Sequence, residues 1–328
     1  MAVSLHQWEE IWERERRALR PVHRWEEADV PAEKWRGSFA IPMTPFDEKD
    51  RVDEEVLAAE VEFCIGCGVG GIVVPVMVSE FRLLSEEERR TLVRVTVEVA
   101  RGRVPIVANV AAVNTPLAVR YAEYAQELGV DAVIAMPPYI HRPDFPSIYD
   151  YYKAIDRAVQ VPIWIQNAGV VALSPDDIVR LCTEIEHVSW VKEEVSPSTH
   201  SISALMARSC PAIEGVMGGA GGRYMITEWQ RGSSGVVSAC ELADVVQRVW
   251  NLLDAGELEA AGDLFERLLP ALVIEGIMGM GFAKEIMIRR GVFRNNRVRG
   301  QARPLDEGDL WEIDRVWERI QPFLLWHG

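Results

Sequence analysis

The chain has 328 residues, 48% of them hydrophobic, with a formal net charge of −15 and an isoelectric point near 5.0. That length allows two average domains or one large α/β barrel with extensions. The acidic balance argues against nucleic acid or an anionic membrane as partner, but leaves room for an anionic small molecule in a locally positive site. No apolar run is long enough to span a bilayer, and the N-terminus is polar and tryptophan-rich rather than signal-like. Five cysteines in a chain of this length do not make a disulfide framework, and a cytoplasmic location is expected.

Residues 4–20 have helix-forming composition, with Leu5, Trp8, Ile11, Trp12 and Leu19 on one face, until Pro21 and Pro31 break the pattern. An N-terminal helical extension is expected over residues 1–36. Its tryptophans (Trp8, Trp12, Trp25, Trp35) suit an intersubunit contact or a lid over the barrel helices. From Gly37 a regular alternation begins. Short Val/Ile-rich runs fall at Ser38–Thr44, Gly71–Val76, Pro105–Val110, Ala132–Met136, Pro162–Gln166, Val188–Lys192, Ala212–Met217 and Ser234–Ala239. Amphipathic helical stretches separate them, with start signals at Ser85 before three glutamates, at Thr115-Pro116 and at Ser174-Pro175. Strands alternating with helices imply a parallel sheet, and about eight repeats favour a closed (β/α)8 TIM barrel over residues 37–240. Residues 241–328 form a C-terminal helical segment interrupted at Pro270 and at Gly276–Gly281. Cys64 and Cys67 lie late in a helical pattern with no second pair to complete a metal site, so core packing is expected there and no metal is implied.

Residues at the C-terminal ends of barrel strands face the active site. That rule selects Thr44, Pro45, Ser79, Glu80, Asn109, Tyr139, Gln166, Asn167, Lys192, Glu194 and the Gly218–Gly222 loop. Lys192 is the most informative of them, because a lysine ending an apolar strand must be paired or neutral, and a neutral amine attacks carbonyl carbon. Side chains alternate along a strand, so Lys192 and Glu194 share a face, ~6.5–7 Å apart along the chain, while Glu193 points the other way. An amine and a carboxylate so placed suit iminium formation followed by proton transfer. A structural salt bridge capping the barrel is the competing account. Glu194 is accordingly the expected acid/base, with a supporting role for the lysine as its alternative. Glu80 either contacts substrate or caps its loop. His141, beside Arg142-Pro143, is expected at the surface. Gly218 and Gly219 offer either room for a substrate tail or close packing, and no nucleotide-loop ending follows them.

The segment Gly37–Phe46, Gly68–Val74, Ser79-Glu80 with Leu84–Arg89, Pro137-Pro138-Tyr139 and Val191-Lys192-Glu193 resemble the dihydrodipicolinate synthase / N-acetylneuraminate lyase superfamily, in consistent order from about residue 37 to 290. The resemblance implies a (β/α)8 barrel, usually tetrameric, acting on 2-oxo acids through a lysine imine at Lys192 without metal or organic cofactor. Departures are informative. Where the synthase carries two threonines after its second strand, this chain has Val76-Met77-Val78-Ser79-Glu80, and Ser79 is expected to bind the substrate carboxylate instead. The synthase's second tyrosine after the fourth strand is Ile140, its fifth-strand tyrosine is Gln166, and its carboxylate-binding arginine has no counterpart in residues 168–171. An amide orients a carbonyl or water but does not shuttle protons as a phenol does.

The pattern is more similar to the 2-keto-3-deoxy-pentonate (L-arabinonate pathway) dehydratases, in Ser79-Glu80, Met136-Pro137-Pro138-Tyr139, Gln166-Asn167-Ala168 and Lys192-Glu193-Glu194. Substrate-lining roles for Thr44, Ser79, Glu80, Tyr139, Gln166, Asn167, Gly218 and Gly219 follow from that placement. The expected activity is dehydration of a 2-keto-3-deoxy sugar acid. Retro-aldol release of pyruvate, a dihydrodipicolinate-synthase-like reaction and a non-catalytic 2-oxo-acid-binding barrel stand as alternatives.

Overall fold

Eight parallel strands close in chain order: β1 (Gly37–Ile41), β2 (Gly71–Val74), β3 (Ile106–Asn109), β4 (Ala132–Ala135), β5 (Ile163–Asn167), β6 (Val188–Glu193), β7 (Gly215–Gly218) and β8 (Gly235–Ala239), with β8 pairing back onto β1. The structure is a computed structural model and describes residues 35–140, 142–169, 171–300 and 303–325. By internal contacts the chain divides into Met1–Lys34 and Trp35–Gly328, and the barrel belongs to the second unit. The helix expected over residues 4–20, with Trp8, Trp12 and Trp25, lies outside the described residues, as does His141.

Helices α1 (Glu54–Gly66), α2 (Glu86–Ala100), α3 (Thr115–Glu127), α4 (Phe145–Asp156), α5 (Pro175–Glu184), α6 (Ser198–Met206) and α7 (Met225–Gln230) connect the strands, and α8 (Ala243–Asp254), α9 (Leu258–Met278), α10 (Met280–Arg289) and α11 (Glu307–Ile320) follow. Ser85 with Glu88 and Ser174 with Asp177 make reciprocal caps at the starts of α2 and α5. The cap of α3 is Asn114, one residue before the expected Thr115, because its side chain accepts the Leu117 N–H. None of the helices among the described residues is long and apolar enough to cross a membrane.

Strand ends differ from expectation for local reasons. β1 stops before Pro42 and β2 before Pro75, since proline has no N–H to give a ladder. β7 starts at Gly215 rather than Ala212, because Ile213 N–H closes a turn onto Cys210. α9 runs straight through Pro270, around which Leu268, Ala271 and Leu272 remain buried, and the break falls at Gly279, φ +64°.

Inside the barrel, Phe39, Val73, Val107, Ile134, Trp164, Trp190, Met217 and Val237 form one apolar cluster, while the outward side chains pack on the helices. Trp164 stacks on Trp190 across the β5–β6 pair, with centroids 5.2 Å apart and planes 18° from parallel. Gly215, the register partner of Trp190 on β7, is bare because a Cβ there would overlap the indole. Trp35 lies 5.5 Å from Trp164 and 5.1 Å from Trp190. It therefore fills the barrel interior, which corrects its expected place in a lid or intersubunit extension.

Candidate active site

The register that stacks Trp164 on Trp190 also sets Gln166 beside Lys192, one step nearer the C-terminal end of the barrel and on the same inner face. Lys192 is 3% exposed, and its Nζ lies 2.8 Å from Glu194 Oε1. The same carboxylate oxygen accepts a bond of 2.8 Å from Gln166 Nε2. That bond orients the amide and leaves Gln166 Oε1 buried with no partner among the described residues. Glu194 is held in turn by its backbone, whose N–H donates to Asn167 O at 2.9 Å. Its Cγ occupies the space that a Cβ on Gly219 would take. An amine, a carboxylate and an amide with a spare acceptor therefore meet at the strand ends, where a barrel places its chemistry.

The opposite face of the same strands carries a second polar layer. Glu193 is fully buried, accepting from Asn167 Nδ2 and from the Val195 N–H, both at 2.8 Å. Asn167 also bonds both ways to the Leu173 backbone. This asparagine, expected to line the substrate, instead joins β5, β6 and the following loop on the side away from the amine. Burial pushes the Glu193 carboxyl up to about 7. Glu228, from α7, is fully buried as well. Its Oε1 accepts from Ser198 Oγ at 2.5 Å, and its Oε2 sits where a Cβ on Gly218 would be. Burial raises it, too, to about 7. The space above Gly218 and Gly219 is thus filled by two glutamates, which is the close-packing alternative of the two posed for this loop.

Thr44, Ser79 and Glu80 make their hydrogen bonds with one another's loops and the C-terminal segment, and none with Lys192 among the described residues. Thr44 Oγ1 donates to Ser79 O at 2.6 Å, and Ser79 Oγ donates to Pro42 O at 2.6 Å while accepting from Val76 N–H at 3.2 Å. These hydroxyls tie the loops after β1 and β2. Glu80 takes a left-handed backbone (φ +57°) and has both oxygens occupied, by Lys284 Nζ at 2.7 Å and the Arg299 N–H at 2.7 Å. It anchors the C-terminal segment, and no contact joins it to Lys192, Gln166 or Glu194 among the described residues. Asn109 is spent on Pro75 O and the Ala111 N–H. Tyr139 is half-buried, edge-on to Phe81 at 5.9 Å and under the Arg82 guanidinium at 4.9 Å. Sequence patterns missed Lys284, Ser198 and Glu228. The one available signal for Glu228 was its place three residues after the apolar Met225, on the same face of a short helix.

Fold and site together define a (β/α)8 barrel whose inner face ends in a buried lysine on the sixth strand. The chain belongs to the dihydrodipicolinate synthetase family, whose description matches residues 34–316. It is 27% identical to the L-2-keto-3-deoxyarabonate dehydratase of Azospirillum brasilense over 297 residues, 88% of this chain and 96% of that protein. It is 29% identical to the 4-hydroxy-tetrahydrodipicolinate synthase of Bacillus subtilis over 70% of this chain and 80% of that one. The match to the Mesorhizobium japonicum synthase, at 35% identity, spans about half the length of both proteins, 48% of this chain and 55% of that one. Among solved structures, the 4-hydroxy-tetrahydrodipicolinate synthase of Methylacidiphilum fumariolicum superposes with a TM-score of 0.82 at 24% identity, covering 88% of this chain and 97% of that one. That likeness establishes the fold.

Proposed function

We propose that this protein is a lyase that dehydrates a 2-keto-3-deoxy sugar acid through an imine on Lys192. The observation that carries the proposal is the buried Lys192–Glu194–Gln166 group, with its unpartnered amide oxygen. Full-length similarity to a 2-keto-3-deoxyarabonate dehydratase supports the substrate class.

The chemistry runs as follows. Lys192 passes its proton to Glu194 and adds to C2 of the substrate, and the carbonyl oxygen departs as water. The resulting iminium acidifies C3, and Glu194 removes a proton there to give an enamine. The enamine expels the C4 hydroxyl, which takes a proton from Glu194 and leaves as water. Imine hydrolysis and ketonisation at C5 return the amine and a 2-oxo semialdehyde from a pentonate, or a 2,5-dioxo acid from a hexonate, so the net change is loss of one water. Gln166 Oε1 is the acceptor available to a substrate hydroxyl in this site. A neutral amide in the relay position favours elimination over a reaction that needs a phenol to carry protons.

The test is borohydride reduction in the presence of pyruvate, followed by a screen of 2-keto-3-deoxy pentonates and hexonates with separate assays for pyruvate and for semialdehyde. A reduced adduct on Lys192, lost in Lys192→Ala, together with semialdehyde formation, is the expected result. Pyruvate release in its place would assign retro-aldol cleavage, and no adduct in wild type would remove the imine mechanism.

A further inference from the structure

Asn167, Glu193 and Gly218 are register partners across β5, β6 and β7, so their outward faces form one row. Glu228 drops its carboxyl into that row at the bare face of Gly218, next to Glu193. Two buried carboxyls thus share the outward row behind the β6 backbone, on the opposite face from Lys192, and Glu193 acts electrostatically on Glu228. Both residues have 0% exposure. Their four oxygens receive three donors: Asn167 Nδ2, the Val195 N–H and Ser198 Oγ. Glu228 Oε2 receives none among the described residues. Neither carboxyl forms an ion pair with a cation among the described residues. Glu193, at the end of β6, and Glu194, just beyond it, act on Glu228, and Glu194 acts on Glu193, while α6 and β5 contribute the neutral donors Ser198 and Asn167.

Ionising both buried carboxyls is costly, so the row keeps one proton until the pH is high enough to draw it out. The oxygen that lacks a donor is the one able to carry its own. We propose that Glu193 and Glu228 are positioning residues, a buried carboxyl pair that keeps one proton on Glu228 Oε2 and, by releasing it, changes the charge behind Lys192 and Glu194. Both carboxyls are raised into the neutral range, which puts that release where the site works. When the proton leaves, the added negative charge holds the Lys192 proton more tightly and makes Glu194 a weaker acid and a stronger base. The consequence for turnover rests on the proposed roles of Lys192 and Glu194, but the charge effect itself does not.

The experiment is competitive acetylation of Lys192 by acetic anhydride against a reference amine, from about pH 6 to about pH 9, with the site quantified by peptide mass. It requires neither substrate nor imine, so an absent borohydride adduct would end the functional proposal without touching this one. Glutamine mimics the protonated glutamate, so Glu228→Gln should match wild type near pH 6. Near pH 9 its Lys192 should react about three- to tenfold faster. Glu193→Gln should shift the profile in the same sense, and Glu228→Asp should restore the slower high-pH rate. Coincident profiles for wild type and both glutamine variants would overturn the proposal. So would a difference of equal size at low and high pH, which would mark a displaced lysine instead of an altered charge.

Discussion

Two buried lysine–glutamate pairs occupy this barrel, and they are used in opposite ways. Lys284 lies 2.7 Å from Glu80 and also donates to Thr44 O at 2.8 Å and Arg297 O at 2.6 Å, so all three of its N–H bonds are spent. Lys192 lies 2.8 Å from Glu194 and has that single acceptor among the described residues. Both lysines are nearly shielded from water, at 0% and 3% exposure, so burial does not separate them. The difference is unspent capacity. Lys284 clamps α10 and the segment reaching Arg299 to the loops after β1 and β2, whereas Lys192 keeps N–H donors that no acceptor takes among the described residues.

The sharpest way to break this comparison is to remove each amine in turn. Lys284→Met leaves Glu80 buried without its cation and should cost about 3–5 kcal/mol in urea unfolding. Lys192→Met should cost within about 1 kcal/mol, because Glu194 keeps 20% of its side chain exposed and Gln166 as donor. Equal losses would mean that both pairs are structural. A smaller effect, on rate, comes from Gly219→Ala, whose Cβ must displace Glu194 from Lys192. If the proposed activity holds, kcat should fall about tenfold to a hundredfold with the fold retained. An unchanged kcat would exclude Glu194 as the proton carrier.

The third test concerns the surroundings of Lys284. Glu60 is fully buried, accepts from the Met43 N–H at 2.8 Å and from Cys240 Sγ at 3.1 Å, and is pushed by burial up to about 8, with Lys284 opposing the shift. The folded protein therefore holds a proton here that the unfolded chain loses above about pH 4.5. Stability falls as pH rises through that window to about 8, by at most about 1.4 kcal/mol per unit from this group. Glu60→Gln should flatten that slope when unfolding midpoints are compared between about pH 5 and about pH 8. An unaltered slope would show that the Lys284 region keeps Glu60 ionised.

Much of this architecture was legible because it is periodic. Eight apolar runs spaced by capped helices gave the barrel, and the two-residue repeat placed Lys192 with Glu194 and turned Glu193 away. What resisted was anything set by a partner distant in sequence. Glu80 could be read as contacting substrate or capping its loop, and only Lys284, 204 residues on, decides for a structural tie. Gly218 and Gly219 left open space and close packing undecided, and the space belongs to Glu228 and Glu194. Trp35 sat among extension residues by composition and went into the barrel by packing. No local pattern encodes which long side chain will arrive to fill a glycine's face.

The indole stack of Trp35, Trp164 and Trp190 has one more consequence. With three rings filling the interior beneath Lys192, the barrel is a cup rather than a tube. Whatever enters must leave past the same rim, and under the proposed dehydration each expelled water would share that exit with the organic product. Traffic through a single mouth makes departure a prerequisite for the next arrival, so product lingering at the rim would compete directly with fresh substrate.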